Sequence, residues 1–109
     1  RDFTKYYEEN NMFPVENMIF VGLYGSEDGK INAYTYGMED FGKKEMEIIA
    51  SSQKPEDVYY FLQGVADYVI TSDVILQDGE TIGFSAEQKI PISQSKGIAV
   101  NGTTLKLGY

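Results

Sequence analysis

Apolar positions recur every second residue in several stretches of this chain and every third or fourth residue in one, which predicts strands around a single long helix. Asn17 to Gly25 is rich in Ile, Phe, Val and Leu, and Lys30 to Tyr36 repeats the pattern; both read as strands. Between them, Ser26-Glu27-Asp28-Gly29 supplies a turn with glycine where a positive φ is needed. With Glu27-Asp28-Gly29 as the loop, Ser26 opposes Lys30 and the pairing runs back to Phe20 opposite Tyr36. The two-residue period then places Ile19, Val21, Leu23, Ile31 and Ala33 on one face. Phe20, Tyr24, Tyr34 and Tyr36 fall on the other.

Residues 37–44, bounded by glycines, read as a loop with room for one helical turn. From Glu45 to Ala50 the charged Glu45 and Glu47 alternate with Met46 and Ile48, the pattern of a half-buried strand. Pro55 to about Ser72 is the helix. Val58, Phe61, Leu62, Val65, Ala66, Val69 and Ile70 form its apolar stripe, while Tyr60, Gln63, Gly64, Asp67 and Thr71 lie opposite. Pro55 suits the first helical position, and Glu56 and Asp57 meet the positive end of the helix dipole. Gly64, unfavourable in a helix interior, is explained if a strand approaches closely there.

Two further hairpins are predicted. One turns at Asp78-Gly79 between the apolar runs of Val74–Phe84. The other turns at Asn101-Gly102, setting Ile98, Val100, Thr103, Leu105 and Leu107 on one buried face. Ile90 and Ile92 form a short strand that Pro91 restricts to an edge or a bulge. The expected fold is α+β: a mostly antiparallel sheet of sequential hairpins with the helix over about 55–72 packed on one face, in two layers. Residues 1–16 read as a lead-in from a longer protein and 17–109 as a single domain. The chain begins with Arg1, in keeping with that reading, and 109 residues suffice for one core.

Composition narrows the function. The chain has neither Cys nor His, so disulfides, thiolate nucleophiles, the commonest general base and the commonest transition-metal ligand are all missing. This weighs against common enzyme chemistry, and neither a cofactor nor a metal is expected. The net charge of −8, with lysines and arginines scattered except for Lys43-Lys44, disfavours nucleic-acid binding. No apolar run is long enough to span a membrane, and no signal-peptide pattern opens the chain, so a cytoplasmic location is expected.

Two segments are more distinctive than their patterning. Tyr34-Thr-Tyr-Gly-Met-Glu-Asp-Phe-Gly-Lys-Lys-Glu-Met-Glu-Ile48 and Asp78-Gly-Glu-Thr-Ile-Gly-Phe-Ser-Ala-Glu-Gln-Lys89 resemble signature segments of a bacterial family known only as domain of unknown function 4261. The resemblance runs from about Asn17 to the end of the chain. It implies a C-terminal portion of a longer bacterial protein and implies no activity.

The candidate functional residues form two groups. The first is aromatic: Phe20, Tyr24, Tyr34 and Tyr36 on the outward face of the first hairpin, with Phe41 as the anchor of the glycine-bounded loop. Tyrosine offers large contact area, a polar tip and few rotors, which suits a protein partner, a basic one given the acidity. The plainer alternatives are a second core layer completed by Tyr6, Tyr7 and Phe13, and a loop folded back so that Met38 and Phe41 plug the core. The second group is carboxylate: Glu45, Glu47 and Glu87. Glu45 and Glu47 lie two apart on a strand, so both would point one way and could hold a hard cation or act as acid and base. A solvent-facing strand reads identically and is favoured. Ser85, Glu87 and Lys89 lie within five residues but lack any oxyanion-hole motif, so Ser85 reads as a turn residue. The leading reading is a non-catalytic protein-interaction or accessory domain. The alternatives are a carboxylate- or metal-dependent hydrolase and a structural domain packed on an upstream region.

Overall fold

The computed structural model describes residues 19–95 and 103–109. The lead-in 1–16 and the Asn101-Gly102 turn, with Ile98 and Val100, lie outside the described residues. The described elements are β1 (Phe20–Gly25), β2 (Ile31–Tyr36), a short 3-10 helix (Met38–Phe41), β3 (Met46–Ser51), α1 (Pro55–Thr71), β4 (Thr81–Ile82), β5 (Ile90–Ser95) and β6 (Thr104–Leu107). The strands form one sheet in the order β1-β2-β3-β6-β5-β4. Every neighbouring pair is antiparallel except β3 and β6, which run parallel. With α1 packed across β1, β2 and β3, the molecule is α+β in two layers.

The first hairpin has the register its turn chemistry dictates. Phe20 opposes Tyr36 and Gly25 opposes Ile31, and the Ser26 N–H donates to the Lys30 carbonyl at 2.9 Å. Gly29, at φ 80°, takes the left-handed position of the loop at no steric cost. Ile19 and Ala33 are buried, and Val21 and Ile31 pack against the core. Leu23 is more exposed than its face predicts, because β1 stands at one end of the strand order and, among the described residues, has a strand neighbour on one side only.

Helix α1 buries the seven residues of its apolar stripe, Val58, Phe61, Leu62, Val65, Ala66, Val69 and Ile70. They meet Met46 and Ile48 of β3, Ile92 of β5 and Leu105 and Leu107 of β6 in one cluster. At its C-terminus Asp73 adopts φ 51°, the Asp73 N–H donates to the Ile70 carbonyl at 3.4 Å, and the Val74 N–H donates to the Val69 carbonyl at 3.1 Å. This is a Schellman cap with aspartate in the place usually taken by glycine. Its exposed carboxylate pairs with the ammonium of the largely covered Lys43 side chain at 2.6 Å. None of the helices among the described residues is long and apolar enough to cross a membrane.

Three expectations need correction. Asp78-Gly79 does form a turn, with the Glu80 N–H donating to the Gln77 carbonyl at 3.1 Å, but it closes no hairpin with 74–77. Residues 74–77 carry the chain away from the helix cap, with Leu76 against the core. The residues after the turn pair with β5 instead: the Gly79 N–H reaches the Ile92 carbonyl and the Ile92 N–H reaches the Glu80 carbonyl, each at 2.9 Å. Second, β5 is an interior strand despite Pro91. The ladder alternates so that Pro91 faces the β6 side, where the last pair is Ile92 with Leu107, so the missing N–H falls beyond the end of β6. Third, β6 is not only one arm of a hairpin: it pairs with β5, where Gln94 opposes Leu105 and Ile92 opposes Leu107, and also runs parallel to β3 on its other side.

Gly64 also has a different neighbour from the expected strand. A Cβ there would meet the Phe84 ring at 2.9 Å. Phe84 reaches over α1 from the loop between β4 and β5 and packs edge-on against Phe61, whose other face stacks on Tyr109 with centroids 4.1 Å apart.

Candidate interaction surface

Strand alternation turns Phe20, Gly22 and Tyr24 of β1, with Tyr34 and Tyr36 of β2, away from the helix. Phe20 is 58% exposed, Tyr24 48% and Tyr36 66%. Tyr34 is half-buried because its ring lies across Gly22, the residue opposite it in the ladder. A Cβ at Gly22 would come within 2.4 Å of that ring. Glycine here makes room, and a glycine within a strand pattern is the sequence signal for such a close approach. The Tyr34 centroid sits 6.0 Å from that of Phe20 and 6.2 Å from that of Tyr24, both tilted, which makes a continuous aromatic row. Phe41 is not part of the row. It is half-buried and packs against the core beside the fully buried Met38, as a loop folded back on the core requires.

The carboxylates do not form a shared site. Glu45 and Glu47 are 5% and 6% exposed, so the solvent-facing strand expected from their alternation is overturned. Glu45 precedes the first residue of β3, and the alternation does not govern it. Its carboxylate curls onto the start of the 3-10 helix and accepts the N–H groups of Gly37, Met38 and Glu39, each at 3.2 Å, and the Thr35 hydroxyl at 2.8 Å. These are first-turn amides with no partner inside the helix, so Glu45 acts as a side-chain cap from the following strand. Glu47 lies opposite Tyr34 on the outward face and accepts a hydrogen bond from Ser95 across β6. Glu87 is exposed in the loop that joins β4 to β5. Among the described residues no three acidic side chains are grouped so as to hold a metal ion. In that same loop the Gln88 N–H donates to the Ser85 carbonyl at 3.2 Å, and the Phe84 N–H donates to Gln88 Oε1 at 2.8 Å. Ser85 is thus part of a turn.

A cleft of about 450 Å3 opens between residues 74–78 and the ends of β3, β5 and β6. Lys43, Lys44, Met46, Leu76 and Leu105 are among its walls. Neither the aromatic row nor the three glutamates line it.

The molecule is therefore a two-layer α+β domain with a row of aromatic side chains on the face of β1 and β2 turned away from the helix. The chain matches the model of the family described as "Domain of unknown function (DUF4261)" over residues 34–108, and it belongs to that family. The match begins at Tyr34 rather than near Asn17, so β1 and the start of β2 lie ahead of it. A search of curated proteins returned no match.

Proposed function

We propose that this chain is a non-catalytic protein-interaction domain that docks a basic protein partner through the outward face of the β1–β2 hairpin. The carrying observation is the exposure of Phe20, Tyr24 and Tyr36 around Tyr34, because contiguous exposed aromatic groups are rare on surfaces that contact only water. The net charge of −8 favours a partner of opposite sign, which adds steering and selectivity to the apolar contact. A bacterial, cytoplasmic setting is part of the proposal, in keeping with a chain that builds no disulfide.

The test is isothermal calorimetry with a purified partner first identified by co-purification. Tyr34→Ala combined with Tyr36→Ala is expected to weaken binding at least about thirtyfold, the scale of an aromatic hot spot. The parent's affinity is expected to fall as salt rises. Unchanged affinity in the double variant, or salt-independent binding, overturns the reading.

A further inference from the structure

Strand β1 occupies one end of the strand order, so one side of its backbone pairs with β2 and, among the described residues, no strand pairs with the other. The ladder decides which groups face that free side. The Ser26 N–H donates to the Lys30 carbonyl, which makes this a hydrogen-bonded pair. Alternation makes Tyr24 with Asn32, Gly22 with Tyr34 and Phe20 with Tyr36 hydrogen-bonded pairs too. Val21, Leu23 and Gly25 therefore direct their N–H and C=O groups away from β2, along the open edge.

Soluble proteins usually protect such an edge with charge, proline, a bulge or a covering element. Phe20-Val-Gly-Leu-Tyr-Gly25 has no charge and no proline, and its register with β2 is uninterrupted. Phe20 and Tyr24 are exposed on one face of the strand and Leu23 on the other. The ends of the hairpin are acidic. Exposed Glu27 and Asp28 occupy the loop after β1, and exposed Glu39 and Asp40 follow Tyr36, the partner of Phe20. Hydrogen bonds from the Ser26 hydroxyl and the Lys30 N–H hold the Asp28 carboxyl below the usual carboxylate range, so it stays ionised. The Lys30 ammonium is turned aside onto Ser52 Oγ at 2.8 Å.

We propose that β1 takes up an extended segment of a partner as an added strand, bonded through the backbone of Val21, Leu23 and Gly25, apolar at its centre and bearing lysine or arginine at its ends. Backbone bonds give such an addition its affinity, and alternate side chains give it selectivity. The inference rests on the basic-partner reading above and names the binding mode. A second copy of this chain fits the edge less well, because it sets acidic ends against acidic ends in molecules that each carry a net charge of −8.

The experiment is amide hydrogen exchange, read by NMR on the full chain, with and without the synthetic peptide Lys-Lys-Val-Thr-Val-Thr-Val-Lys-Lys. Saturating peptide is expected to slow exchange at Val21, Leu23 and Gly25 at least about tenfold. The counterpart with glutamate at both ends is expected to bind at least about tenfold more weakly. Leu23→Pro removes one outward N–H without touching the bonds to β2, and is expected to abolish the peptide's effect. If that variant does not fold, the protection pattern of the parent decides. Unaltered exchange at the three amides, equal binding of the acidic peptide, or protection that rises with protein concentration alone overturns the inference. Should Tyr34→Ala with Tyr36→Ala weaken the natural partner while Leu23→Pro does not, strand addition fails and the interaction reading stands. If neither variant weakens it, both fail.

Discussion

The ring of Tyr34 rests on Gly22, the residue opposite it in the β1–β2 ladder, with no room for a methyl group between them. The obstacle is the far end of a flexible side chain, so Gly22→Ala is expected to fold with Tyr34 displaced. The tilted contacts with Phe20 and Tyr24 are then lost, at about 0.5–1.5 kcal/mol. Near-ultraviolet circular dichroism and thermal melting check this. A parent-like aromatic spectrum in the variant counts against the packing described.

Glu45 and Glu47 look alike in the sequence and differ in the fold. Glu45 accepts four hydrogen bonds, three of them from backbone amides that have no other partner in the 3-10 helix. Glu45→Gln turns an acceptor into an amide donor facing those N–H groups, and is expected to destabilise by about 1–3 kcal/mol. Glu47→Gln keeps an oxygen for the Ser95 hydroxyl and is expected to lose less than half as much. Urea denaturation of the two variants side by side is the measurement.

Ala50 stands at φ 54°, where β2 and β3 shift register. The side chain of Asn32 accepts its N–H at 2.7 Å and holds the bulge in place. Left-handed backbone costs an alanine about 1–2 kcal/mol that glycine does not lose, partly offset by glycine's greater unfolded-state entropy. Ala50→Gly is accordingly expected to raise stability by about 0.5–1 kcal/mol and Ala50→Val to lower it. Thermal melting of both variants gives the two signs.

In α1, Leu62 is fully buried, whereas Tyr60 is 67% exposed. Leu62→Ala is expected to lose about 2–5 kcal/mol. Tyr60→Ala gives up only an edge-on contact with Tyr59 and is expected to lose no more than about 1.5 kcal/mol. Chemical denaturation that shows equal losses would place the wrong face of the helix on the sheet.

The Asp28 carboxyl is lowered from the ordinary value of 3.8, first by the Ser26 hydroxyl and then by the Lys30 N–H. A folded pKa below the unfolded one contributes stability that is complete above the unfolded value. That contribution fades as pH falls from about 3.8 through the folded value. Ser26→Ala is expected to bring the Asp28 titration back toward 3.8, as followed by NMR of its side-chain carbonyl carbon. An unchanged midpoint would remove Ser26 as the main cause.

Wherever one element's own period and turn residues suffice, the sequence was legible. The seven buried residues of α1 follow from a repeat of three and four, and the pairing of Phe20 with Tyr36 follows from the loop Glu27-Asp28-Gly29. The same period identifies the outward aromatic residues, because neighbouring side chains on a strand must point to opposite faces. The role of Glu45 is not legible in the sequence, because a charged residue beside a strand looks solvent-facing until its distant donors are known. Its donors lie six to ten residues away, on another strand and on the 3-10 helix.

What the sequence alone determined, then, is local: the helix and its face, the first hairpin and its register, the α+β class, and the lack of Cys and His that narrows the chemistry. Only the tertiary structure decided that β6 enters between β3 and β5 and runs parallel to β3, that Asp78-Gly79 turns into β4 instead of closing a hairpin, and that Phe84 covers Gly64. It also decided that, among the described residues, β1 stands at one end of the strand order with Val21, Leu23 and Gly25 turned away from β2. The physical reason is one of range. Periodicity and turn chemistry act over a few residues, whereas the pairing of distant strands is chosen by which combination buries the most apolar surface and leaves the fewest backbone groups unbonded.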